Sequence, residues 1–108
     1  MLPLSLRDRQ RLYLMENEVG LRKIGISDNP ERRRNQIQHA SGLSIRIVRC
    51  WRCLDATALE VEQYLHHQFS RRRRAGEWFT TIHLTDIELC GYELVECNHN
   101  GTEKRVKE

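Results

Sequence analysis

The sequence predicts an α+β fold in which a small central sheet of three main strands, in the order β-β-α-β-α, is flanked by helices. Residues 12–15 and 21–27 have the apolar pattern of two neighbouring strands, and residues 44–53 alternate like a third. Capping residues and helical spacing of apolar positions separate these strands along the chain. Strands and helices in this arrangement build one sheet with helices packed against it.

The first two strands have the signature of a hairpin. Leu12-Tyr13-Leu14-Met15 is a short apolar run suited to a buried strand, and Glu16-Asn17-Glu18 supplies polar turn residues before Gly20. Leu21 to Ser27 then alternates in a second strand. The short distance between the two runs predicts that they pair with each other.

Asn29-Pro30 predicts the start of the first helix, with Asn as N-cap and Pro at the first helical position. The helix is expected to run to about Ala40 and to end at Gly42. Apart from Ile37 and Ala40 it has few apolar residues, so we expect an exposed or ligand-facing helix.

The second half of the chain has weaker signals. A second helix is expected from Asp55 or Thr57 to about Phe69, followed by a basic loop at 71–76 and a short strand at 77–81. The capping-box pattern at 85–88 predicts a third helix.

Length and composition fit one domain. The 108 residues divide into a lead-in at 1–11, a single domain at 12–97 and a polar, frayed tail at 98–108. No apolar run approaches the ~20 residues that a membrane helix needs, and Met1 to Arg11 is too charged for a secretory signal. We therefore expect a cytoplasmic protein, no membrane partner and reduced cysteines.

The basic residues are concentrated in two arginine runs. The formal net charge is only +3, but Arg32-Arg33-Arg34 and Arg71-Arg72-Arg73-Arg74 stand out. The planar guanidinium matches phosphate oxygens, so these residues are candidates for binding nucleic acid. A solvated charged face is the alternative that charge alone leaves open.

Four segments occur in a characteristic order along the chain. They are Leu12-Tyr13-Leu14, Lys23-Ile24-Gly25, Asp28-Asn29-Pro30-Glu31-Arg32-Arg33, and Glu62-x-x-Leu65-His66-x-x-Phe69 followed by Gly76-Glu77-Trp78-Phe79. Together, over residues 12–89, they resemble the phage-type branch of the GIY-YIG nuclease superfamily. The resemblance implies a GIY-YIG-like fold and a metal-dependent endonuclease that hydrolyses nucleic-acid phosphodiester bonds, with DNA as the expected substrate.

The resemblance also implies roles for individual residues. Glu62 would be the metal ligand and Arg33 the active-site arginine. Tyr13 is a candidate general base or water-positioning group, and His66 would pack beside the site. A magnesium or manganese ion is the implied cofactor, because one or two carboxylates suffice to anchor it. We expect a monomer or homodimer without a small-molecule substrate.

Lys23 stands where most family members have a tyrosine, and Ile37 stands where they have a histidine or tyrosine one turn after the arginine. If Lys23 is the cross-strand neighbour of Tyr13, its charge favours the phenolate, which makes Lys23 a fourth catalytic candidate. Direct contact of Lys23 with the phosphate is the alternative role. The same departures keep open a non-catalytic nucleic-acid-binding module with the same fold.

Cys50-x-x-Cys53 has the spacing of zinc ligands, and two further cysteines and several histidines could complete a tetrahedral site. A zinc-stabilised interaction domain is therefore a third hypothesis. Against it, Cys50 and Cys53 are expected on opposite faces of a strand, where they behave as buried thiols.

Overall fold

A computed structural model describes residues 8–104. Within this range the chain forms one six-stranded sheet in the order β4-β5-β2-β1-β3-β6, and every strand pair is antiparallel. The elements in chain order are β1 (Arg11–Asn17), β2 (Arg22–Ser27), α1 (Pro30–Ser41), β3 (Ile45–Cys53), α2 (Ala58–Gln68), a 3₁₀ turn (Ser70–Arg72), β4 (Arg73–Ala75), β5 (Trp78–Phe79), α3 (Leu84–Glu88) and β6 (Leu94–Glu96).

The prediction of a sheet with three main strands is wrong. Strands β4 and β5 extend the β2 edge, and β6 extends the β3 edge. Strand β5 lies within the short strand predicted at 77–81, whereas β4 and β6, of three residues each, show too little alternation to be recognised in the sequence. Strand β4 was expected to be part of a basic loop, and pairing with β5 decides its conformation.

The centre of the sheet is β1, which has β2 on one side and β3 on the other. Leu12 and Leu14 pack in one core cluster with residues of α2, whereas Tyr13 and Met15 pack in a second cluster that Ile37 of α1 borders. Both faces of β1 are therefore covered by a helix. This explains why its four consecutive apolar residues are all buried.

The predicted start and end of α1 are confirmed. The Asn29 side chain accepts a hydrogen bond from the Arg32 amide at 3.1 Å, and Pro30 is in the first turn. Gly42 ends the helix with a φ of 72°, a conformation that glycine adopts at little cost. Pro30 is the buried residue of this helix, so most of α1 faces solvent.

Helix α2 begins at the residue after Thr57, whose side chain accepts a hydrogen bond from the Glu60 amide at 3.1 Å. This decides between the two caps that the sequence left open. The buried stripe of α2 consists of Ala58, Val61 and Leu65. Helix α3 begins one residue before its predicted start. None of the helices that the structure describes is long and apolar enough to cross a membrane.

The segment after Asn98, expected to fray, packs against the start of α1 as far as the structure describes it. The Glu31 amide donates to the carbonyl of His99 at 2.7 Å, and Arg11 Nε donates to the carbonyl of Gly101 at 2.9 Å. A Cβ on Gly101 would lie 2.4 Å from the Asp28 carbonyl oxygen. The turn therefore holds the start of the helix that carries Arg33. Residues 105–108 of the predicted tail lie outside the described range.

We expect Gly101→Ala to destabilise the fold more than Gly91→Ala does. Both glycines have a left-handed φ, 91° and 99°, so each substitution strains the backbone. Only the new Cβ at position 101 meets another atom, whereas the space around Gly91 is open. The steric conflict should lower the free energy of unfolding by a further ~1–3 kcal/mol. Denaturant unfolding of the two variants measures this, and equal losses would contradict the proposed packing of the turn.

Candidate active site

The candidate site lies at the edge of the sheet where β5 stops covering β2. Strand β5 pairs with Arg22 and Lys23 of β2. At the next residue α2 reaches this edge, because His66 Nε2 lies 2.7 Å from the carbonyl oxygen of Ile24. A carbonyl only accepts, so Nε2 carries the proton and donates. The His66 ring also packs on Phe79, with 5.3 Å between centroids. His66 thus fixes the end of α2 against the sheet.

Tyr13 reaches the site by lying across Gly25, its direct partner on β2. A Cβ on Gly25 would lie 2.3 Å from the tyrosine hydroxyl oxygen and 2.5 Å from Cζ. The phenol therefore passes over β2 only because position 25 has no side chain. Gly25 belongs to the Lys-Ile-Gly motif, but no role was predicted for it. A glycine within an otherwise regular strand is the signal that could have indicated this close approach.

The sequence left open a direct cross-strand pairing of Lys23 with Tyr13. The structure excludes it, because the partner of Lys23 on β1 is Met15. It lies diagonally across the strand pair on the same face. Its side chain is only 10% exposed, and Nζ lies 2.5 Å from Glu77 Oε2. The Trp78 ring covers the ammonium, with 5.8 Å from Nζ to the centroid.

The cation that acts on Tyr13 is Arg33 of α1. Burial raises the pKa of Tyr13 to about 12, and the negative charges of Glu77 and Glu62 also raise it. The Arg33 guanidinium beside the hydroxyl acts in the opposite direction and lowers this pKa. The role expected of Lys23 towards the phenol therefore belongs to Arg33, which approaches from the helix above the sheet.

The neighbouring arginines of α1 point elsewhere. Arg32 pairs with Asp28 at 2.9 Å, one turn earlier. Arg34 donates to the carbonyl of Ile45 at 3.2 Å, on the side of β3. Of the predicted run, Arg33 alone is brought to Tyr13, and its guanidinium also donates to the Gln36 side chain at 3.3 Å.

Two carboxylates complete the cluster. Glu62 of α2 is half-buried; its burial raises its pKa, and the negative charge of Glu77 raises it further. His66 and Lys23 act in the opposite direction. Glu77 has a lowered pKa, chiefly because Lys23 donates a hydrogen bond to it. Glu62 was predicted from its motif, whereas no role was predicted for Glu77, because nothing local indicates that a turn residue meets a buried lysine.

All four residues of the second arginine run are exposed, and two of them also contact aromatic rings. Arg72 lies over the Phe69 ring at 5.2 Å and donates to the carbonyl of Thr81 at 3.0 Å. Arg73 lies over the Phe79 ring at 5.3 Å. Arg71 and Arg74 have no ring contact of this kind in the described structure and are therefore better placed to contact a polyanion.

The cysteines do not assemble as the zinc hypothesis requires. Cys50 Sγ lies 3.3 Å from Cys97 Sγ, in the cluster that contains Tyr13, whereas Cys53 belongs to the cluster on the other face. Within residues 8–104 no group of three or more histidine, cysteine, aspartate or glutamate side chains is arranged to hold a metal ion. Cys50 and Cys53 therefore do not share a metal site in this fold.

The segment that forms this cluster is also the one that a family model matches. The model of the T5orf172 domain covers residues 10–95, which is most of the chain. The chain belongs to the T5orf172 domain family. This match corrects the family assignment drawn from the motifs, the GIY-YIG superfamily, because the model that covers the motif-bearing segment is that of the T5orf172 domain. Membership indicates a phage-related, nucleic-acid-related function.

The family match stands by itself. Neither the curated proteins nor the solved structures include a significant match to this chain. The geometry of the site is therefore the basis for its more specific properties.

The pKa of Tyr13 should respond to Arg33 and not to Arg32. Arg33→Gln removes the charge that favours the phenolate, so the pKa should rise further above about 12. Arg32→Gln is the matched control, because that side chain pairs with Asp28. Ultraviolet titration of tyrosinate, as the difference from Tyr13→Phe, measures the change. A pKa near 10 in the wild type, or equal effects of both variants, would contradict this geometry.

The same pKa gives the direction of a stability change with pH. The folded-state pKa of about 12 lies above the ordinary value of 10.0, so the neutral phenol is favoured in the folded state. This contribution is fully present below pH 10 and is lost as pH rises towards 12. Tyr13→Phe should therefore lose less stability than the wild type over that interval in denaturant unfolding.

Gly25→Ala should lower the free energy of unfolding by ~1–3 kcal/mol, because the new methyl group collides with the Tyr13 ring. Tyr13→Ala removes that ring. In the double variant the two losses should therefore not add, and the substitution at position 25 should cost little. Denaturant unfolding of the four proteins gives this coupling, and full additivity would show that the ring does not lie across Gly25.

Proposed function

We propose that this domain is a metal-dependent endonuclease that hydrolyses phosphodiester bonds in DNA. The observation that carries the proposal is the convergence of a phenol, two cations and two carboxylates at one open edge of the sheet. They come from five separate elements or turns: Tyr13, Lys23, Arg33, Glu62 and Glu77.

The surroundings suit a polymeric anion. Arg33 is exposed beside Tyr13, so its guanidinium can pair with the oxygens of a phosphate group. Arg71 and Arg74 are exposed on the segment that leads through β4 to this same edge. Contacts of this kind with the phosphate backbone give affinity and position without reading sequence.

The donor set is compatible with a hard divalent cation. Glu62 would hold it, and magnesium commonly uses one or two carboxylates together with substrate oxygens and water. Burial and a neighbouring negative charge raise the pKa of Glu62, and a cation would relieve both. A magnesium or manganese ion held there would supply Lewis-acid stabilisation of the phosphate.

The side chains of this chain would perform the remaining steps. Arg33 stabilises the negative charge that builds on the phosphate oxygens. The Tyr13 hydroxyl, held between Gly25 and Arg33, positions the attacking water. With a pKa of about 12 it stays protonated at neutral pH in the free protein, so it acts by orientation until charge nearby lowers that pKa.

Glu62→Ala should lower the rate of DNA cleavage by about a hundredfold or more. Folding and DNA binding should stay largely intact. Glu60→Ala is the matched control. Glu60 is an exposed glutamate of the same helix, two positions earlier and therefore on a different side. The assay uses labelled single- and double-stranded DNA with magnesium, with manganese and with a chelator.

Undiminished cleavage by Glu62→Ala would reject the assignment of the metal ligand. Wild-type protein that binds DNA without cutting it under any condition would favour the non-catalytic binding module. One observation already points that way: Ile37, one turn after Arg33, borders an apolar cluster and brings no titratable group to the site.

A further inference from the structure

Lys23 is a buried cation with one carboxylate partner in the site. Its side chain is 10% exposed, and its ammonium nitrogen lies 2.5 Å from Glu77 Oε2. Removing an ammonium group from water is costly unless an opposite charge and a hydrogen bond compensate for it. The Glu77 carboxylate provides both. Without it, the lysine would lie charged and unpaired between Trp78 and the sheet.

The two partners are held very differently. Lys23 is in the middle of the sheet, where β2 pairs with β1 through Met15 and with β5 through Trp78. Glu77 is in the Gly76-Glu77 turn between β4 and β5, and its side chain is 49% exposed. The carboxylate therefore has solvent to move into, whereas the backbone of Lys23 is held between two neighbouring strands.

Two further groups act on the same carboxylate. His66 and Arg33 lie close enough to Glu77 to lower its pKa, after the larger effect of Lys23. Glu77 therefore occupies the position of an anion between Lys23 and Arg33, and the proposed function assigns Arg33 to phosphate binding. A phosphate group and this carboxylate would compete for the same ammonium.

We propose that Glu77 is the exchangeable counterion of Lys23, which keeps the ammonium in place in the free protein and yields it to a phosphate group of the nucleic acid. This inference rests on the proposed function. It makes Glu77 a positioning residue of the site and Lys23 a direct phosphate contact. The exchange involves no covalent change: one ion pair opens and another forms.

The exchange has a measurable consequence for binding. In the wild type, the free energy needed to separate Lys23 from Glu77 offsets part of the attraction between Lys23 and phosphate. Glu77→Gln keeps the size of the side chain and removes this competitor. Affinity for DNA in the absence of metal should therefore rise, by about tenfold at low salt, which is close to the smallest effects measured for close charge pairs.

Salt dependence gives an independent measure. A phosphate contact releases about one counterion from DNA, but in the wild type the freed Glu77 carboxylate takes up a cation in return. Glu77→Gln lacks that uptake, so its plot of log affinity against log salt should be steeper by about one unit. A role of Glu77 in folding alone would not change this slope.

The experiment compares wild type, Glu77→Gln, Lys23→Gln and the double variant. Each binds a labelled DNA duplex in chelator at several salt concentrations. Glu60→Gln is the charge control, because it removes the same charge from an exposed position elsewhere. We expect tighter binding for Glu77→Gln, less than a twofold change for Glu60→Gln, and no tightening when Lys23 is also replaced.

Two results would overturn the inference: equal effects of Glu77→Gln and Glu60→Gln, or tightening that persists without Lys23. If either result is obtained and the wild-type protein still binds and cuts DNA, only this inference is rejected. Wild-type protein that fails to bind DNA at all would reject the proposed function with it. If Glu77→Gln does not fold, Glu77→Asp serves instead. Its shorter side chain keeps the charge and weakens the pair, so it should bind DNA more tightly than wild type, and unchanged binding would count against the proposal.

Discussion

The passage of the Tyr13 ring over Gly25 is the contact on which the geometry of the site depends. Tyr13 belongs to the central strand, and its hydroxyl comes near the edge because its partner on β2 has no side chain in the way. Position 25 therefore excludes every residue with a Cβ unless the ring moves. Once the phenol is there, α1 can bring Arg33 to it, and α2 and the β4–β5 turn can add their carboxylates from the edge.

The charges at this edge balance one another in the free protein. Lys23 and Arg33 face Glu62 and Glu77, and the burial of Tyr13 and Glu62 raises the pKa of both groups. Such an arrangement is costly for stability, since each buried charge needs its partner, and costs of this kind are typical of functional sites. An open edge, rather than an enclosed cavity, suits the extended polyanion that we propose as the partner.

The motif analysis found residues that the fold brings together, and it assigned them to the wrong family. Each of these short patterns has a local structural reason. The tyrosine suits a strand, the Lys-Ile-Gly segment allows a close approach, and the arginine follows the start of a helix. Such short patterns can accompany more than one family label, whereas the T5orf172 domain model covers residues 10–95 as a whole. The same limitation applies to the sheet, because β4 and β6, of three residues each, leave almost no pattern.

Features that depend on neighbouring residues could be predicted before the fold was known: the Asn29-Pro30 start of α1, its end at Gly42, and the β1–β2 hairpin. Tertiary structure decided which cation faces Tyr13, which strands extend the sheet, and that the turn at 98–101 packs on α1. It also joined Lys23 to Glu77, 54 residues later in the chain. Capping and hairpin turns are short-range effects with their own residue preferences, whereas pairing across the chain depends on how the sheet and helices pack, which no local pattern records.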